Sequence, residues 1–175
     1  MKKLLLGLVM ALAPVMAAAE SLGIQFGQMP VGTKIYYEAY DGDEWVDTYV
    51  GKKGKSYVIE RKIVGDNFNY KLYYNEAGHL ERRRYSGFTV RYTPFNCEQV
   101  IGECTHRYNG NPKYNGVYNY IQTQKSGKTY LSRVSTPSDA ETFDKTIVFG
   151  KYNLIVDEQW KSGSKDRWVK IVKIQ

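Results

Sequence analysis

Two cysteines, two histidines and a scatter of carboxylates are the side chains in this chain whose spacing bears on reaction chemistry. Cys97 and Cys104 are the only cysteines. Their spacing is not Cys-x-x-Cys, and no neighbour would lower a thiol pKa, so a redox pair is disfavoured. They are expected to form a structural disulfide closing a loop of about eight residues, worth roughly 2–3 kcal/mol on a loop-entropy model. His79 follows Gly78 at a hairpin tip, and His106 lies two residues beyond Cys104 on the same strand face. A zinc site would need both imidazoles to converge with a carboxylate, which nothing in the spacing promotes. The run Asp41-Gly42-Asp43-Glu44 lacks the spaced oxygens and distant bidentate glutamate of a calcium loop, and reads as a turn between Tyr40 and Trp45. There is no Gly-x-Ser-x-Gly elbow and no glycine-rich phosphate loop. A carboxylate-pair hydrolase stays open as an alternative, with Glu60, Glu81, Glu103 and Glu141 as unranked candidates. No metal or cofactor is implied.

The feature that stands out is tyrosine, 16 of 175 residues, often beside a base, as in Arg84-Tyr85, Arg91-Tyr92 and Arg107-Tyr108. Neighbours in a strand face opposite sides, so these dipeptides stack only with cross-strand partners. One reading is ladders of Tyr and Lys/Arg that stabilise exposed sheet. The sharper reading is a basic, aromatic concave face that binds sugar rings or anionic head groups. On that reading the ligand-binding residues are Arg82, Arg84, Tyr85, Arg91, Tyr92 and Tyr108, grouped around the Cys97–Cys104 loop.

The elements that must position these groups are strands. Segments rich in Tyr, Val, Ile and Thr recur at 34–40, 44–51, 55–64, 69–74, 79–86, 88–93, 103–109, 117–124, 129–135, 146–150, 152–159 and 166–174. Gly, Asn, Asp and Ser punctuate them. Turns this short force antiparallel neighbours. Gly54, Gly127 and Gly163 sit among lysines and serines at three hairpin tips. The fold class is all-β: an antiparallel meander of roughly ten to twelve short strands in a curved or partly open barrel. At most one short helix is expected, near 136–145, from the N-cap, Pro137 and early acids of that stretch. Residues 80–85 carry charge on both faces, with Arg82 and Arg84 on the side of Leu80, which suggests a sheet edge or hairpin end. Residues 168–174 are partly apolar on both faces. Such strands fit a lipid-facing barrel poorly.

Residues 1–19 read as a bacterial-type secretory signal: Lys2 and Lys3, an apolar core from Leu4 to Ala13, then Ala17-Ala18-Ala19 as a cleavage site. The expected mature domain is 20–175, a single all-β unit with no transmembrane span, in the periplasm or secreted. The formal charge of +7 includes Lys2 and Lys3, leaving a mild basic excess. The outline is similar to small periplasmic barrels, including lipid-carrier and calycin-like ones, an analogy of architecture that carries no residues across. The functional expectation is an exported, non-catalytic barrel that binds an anionic envelope component (lipid head group or glycan) or an envelope protein, and no nucleic acid. The alternative is a structural or protein-interaction module that recruits a partner through edge strands.

Overall fold

The computed structural model describes residues 21–137 and 142–175. The expected signal segment, residues 1–19, lies outside them. Twelve strands run in chain order: β1 (Lys34–Ala39), β2 (Glu44–Lys53), β3 (Ser56–Ile63), β4 (Asn69–Tyr74), β5 (Leu80–Arg84), β6 (Thr89–Thr93), β7 (Gly102–Asn109), β8 (Gly116–Ser126), β9 (Thr129–Ser135), β10 (Thr142–Phe149), β11 (Ile155–Ser162) and β12 (Lys165–Ile174). Each expected strand segment is present. Every consecutive pair is antiparallel, and β1 pairs with β12, so the meander closes on itself as a barrel. The seam extends one residue beyond the strands, where Lys34 and Gln175 exchange both backbone hydrogen bonds at 2.8 and 2.9 Å. Gly54, Gly127 and Gly163 turn their hairpins with φ of 60°, 51° and 61°, a region that costs glycine nothing sterically.

The expected all-β antiparallel meander forms a barrel, and the barrel is closed. Closure corrects two expectations. β5 is not an edge, since it is bonded to β4 and β6 on its two sides. With no strand of the ladder left unpaired among the described residues, recruitment of a partner by strand addition has no template. The helix expected near 136–145 is also narrowed, because β10 starts at Thr142; residues 138–141 lie outside the described residues.

Bulges explain the strands whose faces looked mixed. Leu80 pairs with Tyr74 and Arg82 with Tyr73, so Glu81 is an extra residue. It flips the strand: Leu80 is buried in the core, whereas Arg82 lies outside over the Tyr73 ring at 4.1 Å. Arg82 therefore does not share the face of Leu80. Val172 is the extra residue in β12, which lets Ile171 and Ile174 both pack against the core and leaves Val172 exposed.

An arm formed by residues 21–33 closes one end of the barrel. Its Leu22 and Ile24 N–H groups donate to Gln99 and Gly78 carbonyls, and the Gln25 N–H donates to Tyr152, so it is tied to three loops of that end. A single 3-10 turn, Phe26–Gln28, drives Phe26 into a cage of Tyr49, Tyr57 and Tyr74 with ring centroids 4.8–5.1 Å away. Phe26, Ile24 and Met29 are all buried, so the arm is a stopper made of core residues. The outer wall carries Lys71, Arg82, Arg91, Arg107, Arg133 and Lys170 on different strands. That is not the unbroken apolar band of a lipid-facing barrel. No helix among the described residues is long and apolar enough to cross a membrane.

Candidate functional site

The closed ring turns an unusual number of charges inward. On β2 and β3, Asp47 and Arg61 are cross-strand partners and form a two-pronged pair: Arg61 Nε donates to Asp47 Oδ1 at 2.6 Å and a terminal nitrogen to Oδ2 at 2.7 Å. The other terminal nitrogen of Arg61 donates to the Tyr70 hydroxyl at 3.3 Å, so each nitrogen of this guanidinium has a partner. Tyr37 and Trp45 stack at 5.2 Å, and the Arg61 guanidinium lies over both rings.

Across the interior, Lys145 of β10 is held between two carboxylates. Its ammonium donates to Glu158 of β11, and Glu98 lies 3.5 Å away. Glu98 comes from the disulfide loop, in a short 3-10 turn, Cys97–Gln99, capped by the Asn96 side chain accepting from the Glu98 N–H at 2.8 Å. The Cys97–Cys104 disulfide bridges this turn to β7, which fixes where Glu98 points. Burial pushes the Glu98 carboxyl up, but Lys145, Arg83 and His106 outweigh it and hold it below the usual range. Burial raises Glu158 above its usual range, Lys145 offsets part of that, and the Glu98 charge adds to it.

Arg83 is different from these. It sits on β5 between Leu72 and Val90, with its guanidinium 5.7 Å from the Tyr92 ring. Among the described residues no carboxylate lies within 4.0 Å of it. Its Nε is buried and donates to nothing among the described residues, and the same holds for Trp45 Nε1. Both residues line one half-open cavity of about 220 Å³. Its walls are apolar toward the stopper (Ile24, Leu80, Leu154) and polar along Arg61, Arg83, Glu98 and Glu158.

The histidines do other work. His106 is 2% exposed and lies between the Tyr118 and Tyr120 rings, 5.4 Å from each. Its Nδ1 accepts the Cys97 N–H at 3.3 Å, so the neutral ring carries its proton on Nε2. Burial lowers its pKa to about 4, against a smaller opposing pull from Glu98. His79 stacks on Phe95 and shares a hydrogen bond between Nε2 and the Ser21 hydroxyl. Its Nδ1 has no partner among the described residues, so none of them orients the ring as a serine nucleophile would require.

The six residues assigned from sequence divide between the two faces. Arg82, Arg84 and Arg91 are on the outer wall, Arg82 directly opposite Arg91. Tyr92 is buried inside and meets Tyr108 edge-on at 5.5 Å. Tyr85 lies at the end opposite the stopper, stacked on Tyr70 and Phe88 at 4.6 and 4.5 Å. They do not form one concave face. Outside, the ladder reading describes them better: Arg82 covers Tyr73 and Lys173 covers Tyr36, each a cross-strand pair. Of the carboxylate candidates, Glu60 pairs with Lys71 on the outside, Glu103 is exposed, and Glu81 is the bulge residue. Glu141 lies outside the described residues. The interior carboxylates are Asp47, Glu98 and Glu158, which sequence reasoning did not single out. For Glu158, the available signal was its shared face with Trp160.

No protein-family model, curated protein or solved structure gives a significant match to the chain.

Proposed function

We propose that the protein is an exported, non-catalytic binding barrel whose cavity takes a small molecule with an anionic, acceptor-rich end and an apolar body. The observation that carries this reading is the cavity wall shared by Arg83, a guanidinium with no carboxylate within 4.0 Å among the described residues, and the Trp45 indole. A buried charge without a counter-ion is costly, and an anionic guest beside Arg83 supplies one. A guanidinium is always charged and matches a carboxylate or phosphate by its planar fork. The apolar walls toward Ile24, Leu80 and Leu154 suit a short hydrocarbon body. A cavity of about 220 Å³ limits the guest to a small molecule.

Titration calorimetry with octanoate and octanol tests this. Octanoate is expected to bind, octanol at least tenfold more weakly, and Arg83→Gln to lose most of that difference. No octanoate binding, or equal binding by Arg83→Gln, overturns the reading. Export is tested by fractionation, with a mature chain expected to begin at Glu20.

Hydrolysis is the second reading, favoured by one observation: Glu98 and Glu158 are pushed in opposite directions, as an acid and a base would be. It ranks second because Lys145 touches both and neutralises the site where a substrate would sit. Glycosidase activity abolished by both Glu98→Gln and Glu158→Gln would reverse that order.

A further inference from the structure

Every exposed aromatic side chain among the described residues lies at one end of the barrel. Phe68, Phe88 and Tyr114 are 39%, 47% and 43% exposed, and each belongs to a loop at the end opposite the stopper. The loops are consecutive on that rim: β3–β4, β5–β6 and β7–β8. Phe68 and Phe88 are not stray side chains. Both stack on Tyr85, at 5.6 and 4.5 Å, and Val64, 51% exposed, stands in the same loop as Phe68. Apolar rings held out into water by stacking from below are pre-ordered, so little entropy is lost when they enter another phase.

Just beneath the rings is a basic collar. Lys62 and Arg84 are exposed near the rim ends of β3 and β5, and Lys113 lies over the Tyr114 ring at 5.3 Å. Further down the same wall, Lys71 faces Arg84 and Arg82 faces Arg91 directly across the ladder. Like charges placed opposite one another destabilise a sheet. The acids on and beside this face are Glu60, 3.6 Å from Lys71, Asp66 in the first loop, and exposed Glu44, whose carbonyl accepts the Val64 N–H, with Asp41 and Asp43 in the adjoining β1–β2 turn. An aromatic tip above a cationic belt matches the two layers of an anionic bilayer surface: rings at the glycerol and headgroup level, bases at the phosphates. A soluble polyanion would reward the belt and leave the three rings in water.

We infer that this rim is a docking surface for anionic phospholipid, with Phe68 and Phe88 seated in the interface and Lys62, Arg84 and Lys113 against the headgroups. The area is too small for stable anchoring, so the attachment is reversible and salt-sensitive.

The test is co-sedimentation of the full barrel with vesicles of phosphatidylcholine alone or mixed with phosphatidylglycerol. Binding is expected only with phosphatidylglycerol, and to fall at least tenfold in 0.5 M salt. Phe68→Ser/Phe88→Ser and Lys62→Ser/Arg84→Ser should each weaken it about tenfold or more; both pairs are exposed, and unchanged circular dichroism would verify folding. Absence of binding to phosphatidylglycerol vesicles overturns the inference. So does full binding by the double Phe variant, which would identify a simple polyanion site, as would displacement by polyphosphate that ignores the Phe substitutions. Arg83→Gln should keep vesicle binding while losing octanoate, so the rim and the cavity can fail separately.

Discussion

Asp47 and Arg61 face each other across the β2–β3 ladder and share two short hydrogen bonds, with the Asp47 side chain 2% exposed. A buried pair of this kind is nearly neutral to stability as a pair and costly when halved, because the survivor keeps its charge without a partner. Asp47→Ala is therefore expected to destabilise the barrel by about 3–5 kcal/mol, whereas the double change Asp47→Leu/Arg61→Met should lose much less. Urea denaturation of the three proteins checks this. Similar losses in the single and double variants would show that packing rather than charge dominates there.

Acid should weaken the barrel in a defined window. His106 is neutral when folded, with a pKa near 4, while an unfolded histidine titrates near its ordinary value of about 6.5. Between those values the unfolded chain binds the extra proton, so stability falls as pH drops from about 6.5 to about 4. The loss from this one group is up to about 3 kcal/mol. Glu98, whose pKa is lowered, loses stability in the same direction as pH falls below the ordinary carboxylate range. Glu158, whose pKa is raised, acts oppositely. Melting temperatures from pH 7 to pH 4 should fall less steeply in His106→Phe than in the parent.

The stopper crosses the β4–β5 turn through a contact that only glycines permit. A Cβ on Gly78 would lie 2.2 Å from the Ile24 carbonyl oxygen, and one on Gly23 would lie 1.8 Å from that of Ala77. Gly78 also has φ of 81°. Gly78→Ala should cost more than about 1 kcal/mol from backbone conformation alone. It should also lift the arm, read as faster amide exchange at Ile24, which donates to Gly78.

Removing the disulfide tests how Glu98 is held. Cys97→Ser/Cys104→Ser should lose roughly 2–3 kcal/mol on a loop-entropy argument. It should also loosen the turn that places Glu98 beside Lys145. Octanoate affinity measured in both proteins reports whether that turn shapes the cavity.

Turn chemistry made the strands legible. Asp41-Gly42-Asp43, Ser126-Gly127 and Ser162-Gly163 are punctuation with a steric cause, and each marks a real reversal of the chain. The faces were harder to read. Alternation assumes one residue per pleat, and Glu81 and Val172 break that count without any sequence signature of their own. The run Arg82-Arg83-Arg84 looks like uniform surface charge, yet only Arg83 turns inward, because its neighbours across the ladder are Leu72 and Val90. Glu98 was hidden for another reason: its place depends on a turn, a cap and a sulfur bridge acting together, which no periodicity encodes.

Lys34 and Gln175 hold the two ends of the ribbon together by reciprocal backbone bonds. The ring is thus completed only when β12, the last strand of the meander, reaches β1. Until then the inward ionic groups remain hydrated and the first strand offers an open flank to any passing chain. A nascent polypeptide of this kind needs shielding until its twelfth strand has emerged.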